Sequence, residues 1–240
     1  MNINIVSNDQ RYLELNRHLN AAGYSSKICL PSEVESPEIL ILSVRQEITE
    51  GELETALKRL KNGCKVFTGT PETLKKYFNG EIYDYSKNEY FLKENAHLTA
   101  EATISYLHNL TGMGVRGKSV FISGYGRIGK ALAKIVSCLG GEVFVYARRE
   151  EVQMEISRDG YSFVPLGLAP NSDIIINTVP SVIFTGELIE KIPNETVIIE
   201  LASICGFEIT QRVNFALGLP GKILPKSAGK VIFDTLKHLF

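Results

Sequence analysis

The stretch 118-KSVFISGYGRIGKALAKIVSCLG-140 decides the fold of the C-terminal half of this chain. Val120, Phe121 and Ile122 are typical of a buried strand, and the apolar residues after Gly126 recur at helical spacing. Between strand and helix lies Gly-Tyr-Gly-Arg-Ile-Gly at 124–129, a G-x-G-x-x-G pattern. Alone the pattern is weak, but directly between a strand and a helix it predicts a turn that binds the pyrophosphate of a dinucleotide.

The three glycines of the pattern have separate predicted roles. Gly124 permits a tight turn, Gly126 leaves room for a pyrophosphate beside the backbone, and Gly129 lets the helix pack closely against the strand. The helix N-terminus adds unpaired N–H groups and a partial positive charge. The alternative is a glycine-rich turn of an α/β protein that binds no nucleotide.

The end of the second strand, predicted over 142–147, indicates which dinucleotide binds. NAD sites usually place Asp or Glu about 20 residues after the first glycine, where the carboxylate binds the ribose 2′-OH. Here the strand end carries Ala147, Arg148 and Arg149, and the first carboxylate is Glu150. Two guanidiniums suit a 2′-phosphate, so we expect NADP in preference to NAD. The alternative is a solvated basic pair at the start of a helix.

Two later strand ends are expected to line the same cleft, because ligands of such sheets bind at the carboxyl ends of the strands. Asn177 and Thr178 follow one apolar run and are predicted to reach the nicotinamide ribose, whereas Cys205 near the other has no basic partner and is interpreted as inert. The full predicted cofactor set is Gly124, Tyr125, Gly126, Arg127, Ile128, Gly129, Ala147, Arg148, Arg149, Asn177, Thr178, Val179, Pro180, Ala202 and Ser203.

Strands and helices alternate along the whole chain, which predicts an α/β fold with parallel sheets. We expect two doubly wound parallel-sheet domains, the second a Rossmann dinucleotide-binding domain, with a C-terminal helix that packs back near the first. The predicted boundaries are 1–94 for a substrate-side domain, 95–116 for a linking helix, 117–226 for the Rossmann domain and 227–240 for the last helix.

Several local predictions accompany these boundaries. Asn8 or Asp9 is expected to cap a helix that runs to about Ala22, and Thr49 with Glu52 forms a possible capping box. The tyrosine-rich stretch 79–93 is expected to be an exposed connection, and the last helix is expected over about 227–239.

Composition excludes several classes of protein. Of the 240 residues 44% are hydrophobic and 22% are charged, which excludes a disordered chain, and the net charge of −1 argues against a nucleic-acid or anionic-membrane partner. The longest apolar runs are too short for a membrane span. The four cysteines form no CxxC pair and no histidine lies at metal-ligand spacing, so no metal is expected. The N-terminus lacks a signal-peptide pattern, and we expect a cytoplasmic protein.

Six segments together resemble the family of the dipicolinate synthase A-subunit, with matching order and spacing. The stretch 219-LPGKILPKSAG-229 is the most discriminating of them, because generic dehydrogenases do not carry it. In the first 90 residues the similarity is weaker and consists mainly of 8-NDQR-11. The six segments are 95–101, 124–130, 147–149, 176–180, 201–203 and 218–229.

The resemblance implies a two-domain nucleotide-binding protein of spore-forming bacteria, and with the arginine pair we expect it to be an NADP-dependent oxidoreductase. It would oxidise a dihydrodipicolinate-type intermediate to dipicolinate, together with the flavoprotein-like B-subunit of dipicolinate synthase, and we expect a homo-oligomer. A nucleotide-binding regulatory or partner protein without turnover remains an alternative. A hydroxyacid-type dehydrogenase is another, but that class needs a late histidine and the only late one is His238.

A dicarboxylate substrate needs cations and N–H donors that face the nicotinamide. The predicted substrate-binding residues are Arg11, Lys222, Lys226 and Ser227, and the predicted catalytic residues are Asn95, Thr99, Glu101 and Lys226. Ser227 is also expected to cap the last helix. The cleft is expected between the two domains, bordered by 95–101 and 219–229.

Overall fold

The computed structural model of the chain describes residues 1–45 and 47–240. It divides into two compact units, the first comprising Met1–Asn95 with Pro220–Phe240 and the second comprising Ala96–Leu219. The strands are β1 (Asn2–Val6), β2 (Ser25–Ile28), β3 (Ile39–Leu42), β4 (Lys65–Thr68), β5 (Ile82–Asp84), β6 (Ser119–Ser123), β7 (Glu142–Tyr146), β8 (Ser162–Phe163), β9 (Ile174–Asn177), β10 (Val197–Glu200) and β11 (Val213–Phe215).

The helices alternate with these strands. They are α1 (Gln10–Ala21), α2 (Glu50–Leu57), α3 (Pro71–Leu74), α4 (Glu89–Thr111), α5 (Arg127–Cys138), α6 (Glu150–Arg158), α7 (Gly186–Glu190), α8 (Leu219–Ile223) and α9 (Pro225–Leu236). Short 3-10 helices cover Pro31–Glu33, Tyr85–Lys87 and Leu166–Asn171.

The first unit is built on a parallel sheet of order β2-β1-β3-β4-β5. β1 pairs with β3 so that Ile3 lies beside Ile39, and both are buried. One face of the sheet is covered by α1 and α9, where Leu15 and Ile232 belong to the same apolar core. The two helices approach closely at Gly229, since a Cβ atom there would lie 2.6 Å from the carbonyl oxygen of Arg11. The predicted return of the C-terminal helix to the first domain is confirmed.

The second unit is built on a parallel sheet of order β11-β10-β9-β6-β7-β8. β6 lies in the middle, with Ile122 paired to Val145 of β7 on one side and to Ile176 of β9 on the other. The connections run outward in opposite directions from β6, so the strand order reverses between β6 and β9. This is the doubly wound order of a Rossmann domain, and the predicted fold class is confirmed.

Two predicted helix starts also agree with the structure. The Asp9 side chain accepts a hydrogen bond from the Arg11 N–H as the N-cap of α1. At α2 the Thr49 N–H donates to Glu52 Oε2 (2.8 Å) while the Glu52 N–H donates to Thr49 Oγ1 (3.3 Å), which completes a capping box.

The prediction of an exposed connection over 79–93 is wrong. β5 adds an edge strand there, and α4 begins already at Glu89. Tyr85 is only 1% exposed and its hydroxyl donates to the Leu42 carbonyl oxygen (3.0 Å), so this polar-looking stretch contributes a core residue. The prediction counted the tyrosines of this stretch as polar residues. A tyrosine ring is nevertheless readily buried when its hydroxyl group has a hydrogen-bond partner.

The C-terminal segment also differs from the expectation. Residues 220–226 lie in the first unit, whereas the predicted Rossmann domain ran to 226. α9 starts at Pro225 with Leu224 as its N-cap, so Ser227 lies inside the first turn and does not cap the helix. Proline fits the first helical position because its fixed φ is already helical.

Candidate dinucleotide-binding site

The glycine-rich turn has the geometry that its sequence predicts. Gly124 adopts a φ of +94°, a conformation that favours glycine, and a Cβ atom there would lie 2.5 Å from Thr178 Oγ1. A Cβ atom on Gly129 would lie 2.1 Å from the Gly124 carbonyl oxygen, so the start of α5 sits directly on the turn.

Gly126 differs from the other two glycines. Its backbone is extended (φ −83°), and apart from its chain neighbours no described atom lies within 4 Å of a Cβ atom built there. It is the N-cap of α5, and in the described chain no side chain caps that helix. The N-terminal N–H groups of α5 therefore face a space that an anionic group can fill.

A cavity of about 430 Å³ opens beside this turn, a size common for small-molecule sites. It collects seven of the predicted cofactor residues: Gly124, Tyr125, Gly126, Ala147, Arg148, Arg149 and Val179. It also includes three that the sequence analysis missed: Tyr146, Val152 and Ile183. Tyr146 and Val152 lie close to the predicted arginine pair in sequence, so they could have been predicted from that proximity. No comparable feature of the sequence indicates Ile183.

Arg148 and Arg149 come one residue after the end of β7, and both are exposed in the wall of the cavity. The turn that carries them is fixed because Gln153 Nε2 donates to the Ala147 carbonyl oxygen (2.9 Å). Among the described residues, neither guanidinium pairs with a carboxylate, and none of those that line the cavity is acidic. The cavity wall therefore offers two free cations where an NAD site would hold a carboxylate.

Tyr125 points away from the turn and anchors it to the rest of the domain. Its hydroxyl donates to Asp159 Oδ2 (2.7 Å), and its ring meets that of Tyr161 edge-on at 6.3 Å. Lys130 Nζ lies 5.4 Å from the ring centre and pairs with Glu155 (2.6 Å). Burial and the bond with Asp159 raise the pKa of Tyr125, which keeps the hydroxyl protonated as a donor.

Asn177 lies at the end of β9 and is fully buried. Its Oδ1 accepts from Ser123 Oγ (2.5 Å), and its Nδ2 donates to both carboxylate oxygens of Glu200 (2.9 Å each) and to the Val179 carbonyl oxygen (3.0 Å). Thr178 Oγ1 donates to the Ser123 carbonyl oxygen (2.8 Å). Both side chains thus tie strand ends together, and neither lines the cavity: Asn177 is fully buried and Thr178 is half-buried.

The other predicted cofactor residues lie around the turn and the strand ends, outside the cavity wall. Arg127 and Ile128 open α5 beside Gly126, and Gly129 is buried beneath it. Pro180 and Ser203 are exposed on the loops after β9 and β10, and Ala202 is buried.

In the first unit, Arg11 is buried against a carboxylate. Its Nε lies 2.9 Å from both oxygens of Asp9. Burial opposes the charge of Arg11, but the hydrogen bonds with Asp9 raise the pKa of the guanidinium, so the pair is ionised. Gly221 packs on this pair, because a Cβ atom there would lie 2.8 Å from Arg11 Nε. Arg11 is therefore not the free cation that the sequence analysis expected.

The remaining candidates lie at helix starts and on α4. Lys222, Lys226 and Ser227 are exposed, the last two in the first turn of α9. Asn95 and Thr99 share one side of α4, where Thr99 is 8% exposed, and Glu101 is exposed on another side. The half-buried thiol of Cys205 lies 3.6 Å from the Phe207 carbonyl oxygen.

The described parts of the chain, 1–45 and 47–240, contain neither a membrane-spanning helix nor a metal-binding cluster. No helix there is long and apolar enough to span a bilayer. No group of three or more histidine, cysteine, aspartate or glutamate side chains is placed to hold a metal ion.

The sheet order, the glycine-rich turn and the cavity define a dinucleotide-binding domain of the dehydrogenase type. Residues 91–202 match the family model described as the D-isomer specific 2-hydroxyacid dehydrogenase NAD binding domain. A nicotinamide dinucleotide is therefore the cofactor class of this chain.

Over its whole length the chain is similar to the A-subunit of dipicolinate synthase from Bacillus subtilis (strain 168). The two are 25% identical over 285 residues, which cover 100% of this chain and 95% of the relative. The crystal structure of the dipicolinate synthase A-subunit from Bacillus halodurans superposes with a TM-score of 0.80 at 22% identity, covering 99% of this chain and 97% of that one. The resemblance to the dipicolinate synthase A-subunit is confirmed.

The fold is shared more widely. D-lactate dehydrogenase from Escherichia coli superposes with a TM-score of 0.65 at 14% identity, covering 100% of this chain and 96% of that one. At this identity the likeness concerns the fold alone. The matched NAD binding domain makes this chain a dehydrogenase-type nucleotide-binding protein.

Proposed function

We propose that this chain is an NADP-dependent oxidoreductase of the same type as the dipicolinate synthase A-subunit. It would oxidise a dihydrodipicolinate-type intermediate to dipicolinate, and the bound cofactor would accept the hydride at its nicotinamide. The observation that carries the proposal is the pair of guanidiniums, Arg148 and Arg149, that meet no described carboxylate in the wall of the cavity beside Gly126.

The cofactor preference follows from charge. In NAD sites a carboxylate at the end of the second strand binds the ribose 2′-OH and repels a 2′-phosphate. Glu150 and Glu151 open α6 just beyond this point, but neither lines the cavity. A 2′-phosphate beside Arg148 and Arg149 would form charge-assisted hydrogen bonds, which NAD cannot form.

The substrate side is proposed from the chemistry of a dicarboxylate. Lys226 and Ser227 lie in the first turn of α9, where in the described chain no side chain caps the helix and no acidic residue is present. That turn offers N–H donors and a cation to one carboxylate, and Lys222 on α8 offers a second cation. Asn95, Thr99 and Glu101 on α4 are the candidates for contacting the reacting ring.

The partner is proposed from the relative's name. The Bacillus subtilis relative is named as one lettered subunit of its synthase, which supports a complex with a second, flavoprotein-like B-subunit. A homo-oligomer and a cytoplasmic location in a sporulating cell complete the proposal.

Paired fluorescence titrations with NADPH and NADH test the part of the proposal that the arginines carry. We expect NADPH to bind at least tenfold more tightly, because a hydrogen bond to a charged group contributes about 1.5–3 kcal/mol. Equal affinities, or tighter binding of NADH, would remove the basis for an NADP-dependent enzyme.

A further inference from the structure

The buried carboxylate of Glu200 has no part in the function described so far. It is the last residue of β10, which lies between β11 and β9 in the second sheet, and it is fully buried. Oε1 accepts hydrogen bonds from the Ala202 N–H (2.7 Å) and Oε2 from the Gly206 N–H (2.7 Å), while Asn177 Nδ2 lies 2.9 Å from both oxygens. Every described neighbour of the carboxylate within this network is a donor.

Two hydrogen-bonded routes lead from Glu200 to the cavity wall. The first runs through Asn177, whose Nδ2 donates to the Val179 carbonyl oxygen (3.0 Å) and whose Oδ1 accepts from the Val179 N–H (3.1 Å). The second runs through Gly206, whose carbonyl oxygen accepts from the Ile183 N–H (2.9 Å). Val179 and Ile183 are the two residues that the loop after β9 contributes to the cavity.

Gly206 and Asn177, which belong to the two routes, are in close contact. A Cβ atom on Gly206 would lie 2.4 Å from Asn177 Nδ2, so only glycine permits this approach. The carbonyl oxygen of Gly206 also accepts from the Phe184 N–H (2.9 Å), and the Phe184 ring stacks on that of Phe207 at 4.3 Å. The loop after β9 and the loop after β10 are therefore held as one piece.

We propose that Glu200 is a positioning residue, whose carboxylate sets the loop after β9 so that Val179 and Ile183 form one wall of the dinucleotide site. It touches no ligand itself. Burying the Glu200 carboxylate costs free energy, which hydrogen bonds donated to both of its oxygens offset. A side chain without two acceptor oxygens could not accept all of these bonds. The inference rests on the cavity being the dinucleotide site.

The variants Glu200→Gln and Glu200→Asp separate this role from simple packing. Glutamine keeps the size but places an NH₂ group against either the Ala202 or the Gly206 N–H, whereas aspartate keeps two acceptor oxygens and loses one methylene. We expect NADPH affinity to fall about tenfold or more in Glu200→Gln and less in Glu200→Asp. If size were what matters, glutamine would be the better tolerated of the two, and that order would overturn the proposal.

Hydrogen exchange without ligand gives a second readout that does not depend on cofactor binding. In Glu200→Gln we expect faster amide exchange in both 178–184 and 201–207. The exposed residue Glu195 provides the matched control, Glu195→Gln, which should change neither segment nor NADPH affinity. Faster exchange in one loop alone, or in neither, would contradict the coupling. If the wild type bound neither NADPH nor NADH, the proposed function would fail while the exchange data still decided the coupling.

Should Glu200→Gln fail to fold, the wild type still tests the coupling between the two loops that the proposal requires. Addition of saturating NADPH is then expected to slow exchange in 178–184 and 201–207 together, because the Gly206 carbonyl oxygen joins them. Protection of 178–184 without any change in 201–207 would show that the two loops move independently, and the proposal would be wrong.

Discussion

Gly129 lies so close to Gly124 that a Cβ atom on the former would come within 2.1 Å of the carbonyl oxygen of the latter. This contact seats the first turn of α5 on the glycine-rich turn. The N-terminus of α5 and the backbone of Gly126 therefore lie beside the same cavity. Because the helix packs so closely on the turn, its N–H groups are placed where they can bind an anion.

Gly129→Ala should destabilise the fold itself. The added methyl group meets backbone that cannot move without displacing the helix, and overpacking of this kind costs about 1–3 kcal/mol or more. Thermal melts without ligand measure the effect. Gly114→Ala is the matched control, since apart from its chain neighbours no described atom lies within 4 Å of a Cβ atom there. An unchanged melting temperature for Gly129→Ala would refute the close contact.

Gly126→Val should abolish dinucleotide binding and leave the fold intact. Its backbone angles suit a β-branched residue, and the side chain would enter the space beside the N-terminus of α5. For the wild type, ligand at about 100 times Kd should stabilise the protein by about 2.7 kcal/mol, seen as a rise in melting temperature. A variant that still showed this rise would contradict the assignment of the turn.

Arg148→Ala should erase the preference for NADPH over NADH. The lost charge-assisted hydrogen bonds to the 2′-phosphate correspond to about tenfold or more in NADPH affinity, while NADH affinity should hardly change. Fluorescence titration of both cofactors measures it. Arg158→Ala removes an exposed cation of the same domain outside the cavity wall and should leave both affinities alone. Equal losses in both variants would point to general charge effects.

Lys226→Met should weaken binding of dipicolinate or of the substrate and keep NADPH affinity within about twofold. The reason is that a lost carboxylate contact, of about 1.5–3 kcal/mol, concerns the substrate alone. Calorimetry on both ligands gives the comparison. Lys237→Met serves as the control, because Lys237 follows α9 and pairs with Asp234 (2.7 Å). A variant at 226 that lost both ligands equally, or neither, would exclude Lys226 from the substrate site.

Asp173 should make the free energy of unfolding depend on pH in the acid range. The Ser119 backbone N–H (2.9 Å) and hydroxyl (2.8 Å) hold the pKa of Asp173 below its ordinary value, and Lys118 adds to this. A lowered pKa means that the stabilisation is present above the unfolded pKa and is lost as pH falls through the folded one.

Asp173→Asn tests this linkage by thermal melts across pH. Since the side chain is 40% exposed, we expect a loss of roughly 1 kcal/mol at neutral pH, about 2–4 °C for a chain of this size. Wild type and variant should converge at the lowest pH. A difference that stayed constant over the acid range would show that the carboxylate charge is not responsible.

Much of the second unit could be predicted from sequence because its local signals agree with its tertiary structure. The apolar residues Val120, Phe121 and Ile122 lie in β6, the strand predicted over 142–147 matches β7 within one residue, and the glycine spacing located the turn. Arg148 and Arg149 could be placed in the site because strand ends of a parallel sheet meet at one edge.

Side-chain direction was the part that sequence could not supply. Asn177 follows an apolar run just as a ligand-binding residue would, yet its amide points inward because Glu200, at the end of the next strand, is its buried partner. Arg11 looked like a free cation, but its carboxylate lies only two residues away at the helix cap. Such pairings depend on contacts between strand ends and on rotamers, which periodicity does not encode.

The central claim, an NADP-dependent oxidation, is tested most directly by mixing the protein with NADP⁺ and the dihydrodipicolinate-type intermediate, with and without a flavoprotein-like B-subunit. The account predicts that NADPH and dipicolinate appear in equal amounts, and that Gly126→Val produces neither. NADPH binding without any turnover under both conditions would contradict an oxidoreductase and leave a nucleotide-binding partner protein.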